Sequence, residues 1–180
     1  MPQIDEDVKL AAIFGFDTAA LIANREGRMT TSQRRKVRRK GFVAVTRRAA
    51  QTLIAGVAFG ALFYWNVPIL AQIVGLILLG LPMLLLAEST FSILRAVLAD
   101  LRTGDVLVAP SRVKHARNTR TLYVERTIFR NISCAEFNAF QSRGRYRVYY
   151  AARSKIILSA ETVADNDPIP DSWRHSTDQF

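Results

Sequence analysis

From Ala49 to Ala87 the chain reads AAQTLIAGVAFGALFYWNVPILAQIVGLILLGLPMLLLA, without one acidic or basic residue. A bilayer core of about 30 Å takes about 20 apolar residues per helix, so the run predicts two membrane spans. They divide at Asn66-Val67-Pro68, because Pro68 has no amide hydrogen and turns the residue before it away from helix. The expected architecture is a transmembrane α-helical hairpin, Ala49–Trp65 and Pro68–Ala87, joined to soluble flanks. A buried helical hairpin of a soluble protein is the alternative, although core helices rarely stay apolar on every face for this length.

Upstream, residues 4–23 carry a helical pattern interrupted by Gly15 and Asp17, which fits two short helices as well as one. Gly27 can take the left-handed conformation that ends a helix. Thr30 and Gln33 have the spacing of a capping box and predict a new start. This helix-turn-helix outline offers little core for a DNA-reading role. Downstream, the helical stripe continues past Glu88 through Phe91, Ile93, Leu94, Val97, Leu98 and Leu101, so the second helix is expected to run to about Leu101. That stripe needs a cover, either the N-terminal arm or the C-terminal domain.

From Gly104 the period changes to two. Strands are expected at 105–109, closed by Pro110, then at 121–124, 127–130, 145–150 and 155–159. Ser133 and Glu136 form a second capping box ahead of a short helix that carries Phe137 and Phe140. Tyr146, Val148 and Tyr150 share one strand face. Five short strands with one helix predict a small β-rich domain, a partly open barrel of the SH3 or OB type. The domains expected are a helical basic arm (1–48), the hairpin with its extended second helix (49–102), the β-domain (103–161) and a Pro/Asp/Ser-rich tail (162–180).

Charge adds topology to this outline. The net charge of +10 and the pI near 10.5 arise in clusters, which the mean hydropathy of +0.08 hides by averaging. Arg34, Arg35, Lys36, Arg38, Arg39, Lys40, Arg47 and Arg48 precede the first span, and Arg95 and Arg102 follow the second. Positive flanks stay cytoplasmic, so both termini are expected inside and the Asn66 turn, with Tyr64 and Trp65, outside. The basic cluster reads as an arm on anionic lipid, with a solvated helix and a nucleic-acid patch as alternatives. Thr52, Gly56 and Gly60 form a small-residue face that fits the second span, a second copy of the chain or another membrane subunit. Arg112, Lys114, Arg117, Arg120, Arg145, Arg147 and Tyr149 make a basic, aromatic candidate surface for an acidic partner, lipid or single-stranded nucleic acid.

Candidate chemistry is sparse. His115 and His175 have no metal-ligand spacing around them, and no cofactor is expected. Cys134, the single cysteine, excludes an internal disulfide and reads as a small hydrophobe or as a thiol at a helix start. Glu88 reads as an interfacial carboxylate facing water or Arg95, with ion handling as the alternative. The acidic Asp5-Glu6-Asp7 start does not read as a secretory signal, which makes the first span an uncleaved anchor.

The order Asn24-Arg25-x-Gly27, two spans, Asp100-Leu101-Arg102-x-Gly104, Tyr146-Arg147-Val148-Tyr149-Tyr150, Ser154-Lys155 and Leu158-Ser159-Ala160-Glu161 resembles an uncharacterised group of bacterial two-span membrane proteins. The resemblance implies architecture and a bacterial inner membrane, and transfers no functional residue. The function expected is a non-enzymatic, membrane-anchored interaction or adaptor module. An accessory subunit of a transport, sensing or envelope complex is the second reading, and a membrane-tethered nucleic-acid-binding module the third.

Overall fold

The computed structural model describes residues 2–64, 68–116, 121–124, 127–130, 132–141 and 144–163. They form an α+β chain in two compact units: Met1–Arg35 together with Thr103–Phe180, and Lys36–Arg102. The expected arm, residues 1–48, is divided between the two units. Its first 35 residues fold with the C-terminal region, and the unit boundary falls inside the basic cluster.

In the first unit the N-terminal pattern resolves into two helices, α1 (Pro2–Phe14) and α2 (Thr18–Arg25). Gly15, at φ +60°, ends the first, and the Asp17 side chain caps the second by accepting from Ala20 N at 2.7 Å. A Schellman motif closes α2: Arg28 N donates to Ala23 O (2.9 Å) and Gly27 N to Asn24 O (3.0 Å), with Gly27 at φ +78°.

The strands are β1 (Val106–Ala116), β2 (Thr121–Val124), β3 (Thr127–Phe129), β4 (Arg145–Ala151) and β5 (Ile157–Thr162), all antiparallel in the order β3-β2-β1-β4-β5. The first part of β1 pairs with β4 from Val106↔Ala151 to Arg112↔Arg145, and its end pairs with β2 from Val113↔Val124. Two small sheets therefore share one long strand. β3 and β5 remain the two ends of the order, so the barrel expected from the strand count is not closed. Nor does Pro110 end β1, because only β4 flanks the strand there, an edge-like setting that accepts proline. A bulge between Tyr149 and Tyr150 inserts Leu158 into β5, which helps explain why successive β5 residues are buried.

The core of this unit combines Leu10 and Phe14 of α1 with Val113, Leu122, Val124, Phe129, Tyr146, Val148, Tyr150 and Ala160 of the sheet. Ala139 and Phe140 complete it from α6 (Cys134–Ala139), whose Ser133–Glu136 capping box is formed as the spacing predicts. Phe140 stands between Phe14 and Tyr146, with ring centroids 5.5 and 5.0 Å away. Two carboxylates of the acidic start tie α1 to the strands. Asp7 Oδ1 accepts from Thr162 N (2.9 Å) and Thr162 Oγ1 (2.8 Å), and Glu6 Oε1 accepts from the Tyr146 hydroxyl (3.2 Å). Burial, chiefly, raises the Tyr146 phenol above its ordinary value.

The chain leaves this unit and re-enters it at one place. Met29 N donates to Gly104 O (2.9 Å) and Val106 N to Gly27 O (3.0 Å), so residues 27–29 lie beside 104–106.

The second unit is a helical hairpin. Its first leg belongs to α3 (Thr31–Tyr64), which starts with the predicted Thr30–Gln33 capping box. The other leg is α4 (Ile69–Gly75), a π turn (Leu76–Gly80) and α5 (Leu81–Thr103). The π turn lies just before Pro82, whose ring would otherwise press on the carbonyl of Leu78, so widening the turn there relieves the clash. α5 ends at Gly104, left-handed at φ +73°.

Three rungs set the register of the legs: Gly41 faces Val97, Arg48 Nη1 donates to Ser89 Oγ (3.0 Å), and Gly56 faces Met83. As one index rises the other falls, so the legs are antiparallel. Gly41 permits the closest approach, because a Cβ built there would stand 2.6 Å from a Val97 methyl and 3.2 Å from its Cβ. Valine is stiff at χ1 and cannot swing aside. Gly41→Ala is therefore expected to destabilise the hairpin by about 1–3 kcal/mol. Adding Val97→Ala should restore most of that loss in a detergent melting series, whereas strictly additive losses would contradict the contact.

Among the described residues one helix, Leu81–Thr103, is long and apolar enough to cross a membrane. The structure thus gives one helix of spanning quality where the sequence predicted two. The reason lies in α3, whose first half is basic and whose apolar part from Ala49 to Tyr64 rises only about 24 Å. Trp65, Asn66 and Val67, which would extend it, lie outside the described residues.

Candidate functional site

The most developed polar site lies in the first unit, on the face of β4 and β5 opposite the core. Strand alternation puts Tyr146, Val148 and Ala160 on the core side, leaving Arg147, Tyr149, Ser159 and Glu161 together on the other. The paired residues Arg147↔Glu161 and Tyr149↔Ser159 face each other directly. α2 meets this face through two consecutive side chains: Asn24 Nδ2 donates to Ser159 Oγ at 2.6 Å, and Arg25 Nη2 donates to Glu161 Oε2. The other carboxylate oxygen, Oε1, accepts from the Tyr149 hydroxyl (2.7 Å) and from Arg147 Nη1 (3.3 Å).

Electrostatics follow from this geometry. Burial alone pushes the Glu161 carboxyl up, but hydrogen bonds from Arg25 and Tyr149, the Arg25 charge and the Arg147 bond outweigh it and hold the group below its ordinary value. Burial, then the bond to Glu161, drives the Tyr149 phenol far above its usual range. The Glu161 hydrogen bond likewise raises Arg25. Glu161 is thus a fixed anion whose two oxygens are both engaged. A general acid near neutrality needs the opposite shift. The arrangement fastens α2 to the sheet rather than offering a group to a substrate.

The residues named from sequence fall into different settings. Arg34, Arg35, Arg38, Arg39 and Arg47 are exposed on α3, while Lys36, Lys40 and Arg48 are half-buried, Arg48 through its bond to Ser89. Thr52 returns its hydroxyl to Arg48 O of its own helix (3.0 Å), Gly56 meets Met83 of the same hairpin, and Gly60 opens on space. Among the described residues the small-residue face therefore has one contact across the hairpin, at Gly56. In the candidate partner surface, Tyr149 is buried and engaged by Glu161, and Arg147 pairs with the same carboxylate; these two do not form an outer face. Lys114 is exposed and Arg145 half-buried. Arg117 and Arg120, the Arg112 and His115 side chains, His175, the Glu125-Arg126 turn and the tail from residue 164 lie outside what the structure describes. Cys134 is exposed at the start of α6. Glu88 is exposed as well. Among the described residues no group of three His, Cys, Asp or Glu side chains is placed to hold a metal ion.

Sequence reasoning did not single out Glu161, Arg25, Asn24 and Ser159 as one cluster, although all four belong to segments quoted for the resemblance. The available signal was period two: once Tyr146, Val148 and Tyr150 take the core, Arg147 and Tyr149 must share the other face and need a polar cover. Comparison with protein-family models, curated proteins and solved structures finds no match to this chain.

Proposed function

We propose that the chain is a non-enzymatic, membrane-anchored interaction module. In this reading both legs of the hairpin cross a bacterial inner membrane, the polybasic start of α3 rests on the inner leaflet, and both termini are cytoplasmic. The α+β unit of Met1–Arg35 and Thr103–Phe180 is then held beneath the membrane, where it presents its outer surface to a protein partner.

One observation carries the reading. Large apolar side chains of the charge-free run face outward on both legs: Leu53, Ile54, Val57, Leu78, Leu84 and Leu85 are between 57% and 70% exposed. Soluble proteins rarely expose so many large apolar side chains along two neighbouring helices, whereas hydrocarbon accepts them. The second leg, from Ile69 to Ser89, rises about 30 Å and matches a bilayer core of about 30 Å; the described part of the first, from Ala49 to Tyr64, rises about 24 Å and stops short of it. Thr46, Thr52 and Thr90 return their hydroxyls to the carbonyls of Phe42, Arg48 and Leu86, which fits an apolar surround at Thr52 and its margins at Thr46 and Thr90.

The exposed native Cys134 supplies the test. A membrane-impermeant maleimide is expected to label it in inverted vesicles and to leave it unlabelled in right-side-out vesicles. Labelling from the outside would overturn the topology, and release of the chain by alkaline extraction would overturn the membrane reading.

A further inference from the structure

Below the Arg48–Ser89 rung the hairpin changes character without becoming an ordinary water-facing surface. On α3 Phe42 is 71% exposed and Val43 is also exposed, with Arg47 one turn above them and Arg38 and Arg39 one turn below. On α5 Phe91 is 57% exposed and Leu94 is exposed beside it, and the Arg95 guanidinium lies 4.7 Å over the Phe91 ring centroid. The hairpin register sets Arg47 level with Phe91, and Val43 level with Arg95. Both legs therefore show one band of exposed aromatic and aliphatic groups interleaved with arginine.

Depth and charge both bear on what meets that band. At 1.5 Å per residue, Phe91 lies about 3 Å below the rung, and Phe42, Val43, Leu94 and Arg95 about 8–9 Å below it. A bilayer's headgroup layer is roughly 5–8 Å thick on each side. Of the acidic residues in Lys36–Arg102, Asp100 is buried and lies further down, and Glu88 stands at the rung itself. The band reaches from the acyl boundary through the headgroup layer, and carries only positive charge.

We infer that the band is a headgroup collar: Phe91, Phe42, Val43 and Leu94 seat across the headgroup layer while Arg47 and Arg95 bind phosphates of anionic phospholipids. The inference rests on the membrane-hairpin reading and extends it from the arm to both legs. Arg38 and Arg39, a turn deeper in the cytoplasm, reach the same layer by extending their side chains upward. A zwitterionic surface offers the apolar seat without the net negative field, so the collar discriminates by lipid charge.

Spin labels on the intact 180-residue chain test this. In a Cys134→Ser background, labels replace Leu84→Cys in the charge-free run and Phe42→Cys or Leu94→Cys in the collar, all exposed positions that the fold does not need. The protein is placed in nanodiscs of phosphatidylglycerol with phosphatidylcholine, or of phosphatidylcholine alone. The label at position 84 should be relaxed by oxygen and not by a water-soluble nickel chelate in both discs. Labels at 42 and 94 should be shielded from nickel in the anionic discs and severalfold more accessible in the neutral ones. Arg47→Gln and Arg95→Gln should each lower the preference for phosphatidylglycerol about fivefold. Nickel access at 42 and 94 in both discs, with 84 still in hydrocarbon, overturns the collar and leaves the spans standing. Equal shielding in both discs overturns the anionic-lipid assignment and leaves a seat that any headgroup fills. Nickel access at 84 removes the membrane reading and the collar with it.

Discussion

Phe14→Ala is expected to cost the sheet-containing unit about 3–5 kcal/mol, enough to release its N-terminal helix. The Phe14 ring is buried in the core against Phe140, which in turn packs edge-on to Tyr146, so truncation opens a cavity among three aromatic rings. Among the described residues α1 places Leu10 and Phe14 in the fully buried core, and losing Phe14 leaves Leu10 and the half-buried Ile13 beside the Glu6 and Asp7 hydrogen bonds. Those are partly solvated and worth about 1 kcal/mol each. Denaturant unfolding in mild detergent, followed by near-ultraviolet circular dichroism, measures the loss. Val8→Ala, at an exposed site on the same helix, should shift it by no more than about 0.5 kcal/mol. A Phe14→Ala loss as small as that of Val8→Ala would mean that α1 is not part of the core.

The second large effect belongs to Glu161. Replacing it by glutamine keeps the shape but removes the charge that Arg25, Arg147 and Tyr149 share, and its side chain is only 8% exposed. A loss of about 2–3 kcal/mol at neutral pH is expected, the range for charge-assisted hydrogen bonds to a buried group. Arg25→Gln should cost less, about 1 kcal/mol, because half of that side chain is in water. The acid limb of the stability curve carries the same information. Because the folded carboxyl sits below its ordinary value of 4.5, its contribution is complete above that pH and is lost as pH falls through the folded value. The wild type and Glu161→Gln should therefore converge in acid. Tyr149 acts on the other limb: with its phenol raised from 10.0, its contribution is complete below pH 10 and is lost as pH climbs toward the folded value. Parallel acid limbs for wild type and Glu161→Gln would contradict the assigned network.

Local chemistry explains which features were legible in the sequence. The Thr30–Gln33 and Ser133–Glu136 capping boxes, the Gly27 terminator and the Tyr146/Val148/Tyr150 core face each depend on residues within one turn or one strand. The long-range features were not legible in the same way. Glu6 and Asp7 read as an acidic start because nothing nearby indicates that Tyr146 and Thr162 will meet them. Tyr149 read as a surface residue because one covered face was assumed, whereas α2 and Glu161 cover the second. The barrel failed on pairing: five strands of suitable length do not reveal that β1 gives its first half to β4 and its last four residues to β2. Gly41 was hidden by its neighbours, since a glycine among arginines resembles a linker until Val97 is set opposite it.

The clamp between residues 27–29 and 104–106 has a consequence in time. Because the hairpin is inserted into the sheet-containing unit, Arg25 and Glu161 are 136 positions apart, and Asn24 and Ser159 are 135. At a synthesis rate of about 5–20 residues per second, the N-terminal helices emerge roughly 7–27 s before their partners exist. For most of that interval Leu10 and Phe14 have no core to enter, and the hairpin is made while the sheet-containing unit is still half-finished. Assembly order is thereby written into the connectivity: the hairpin comes first, and the unit whose two segments flank it in sequence closes last.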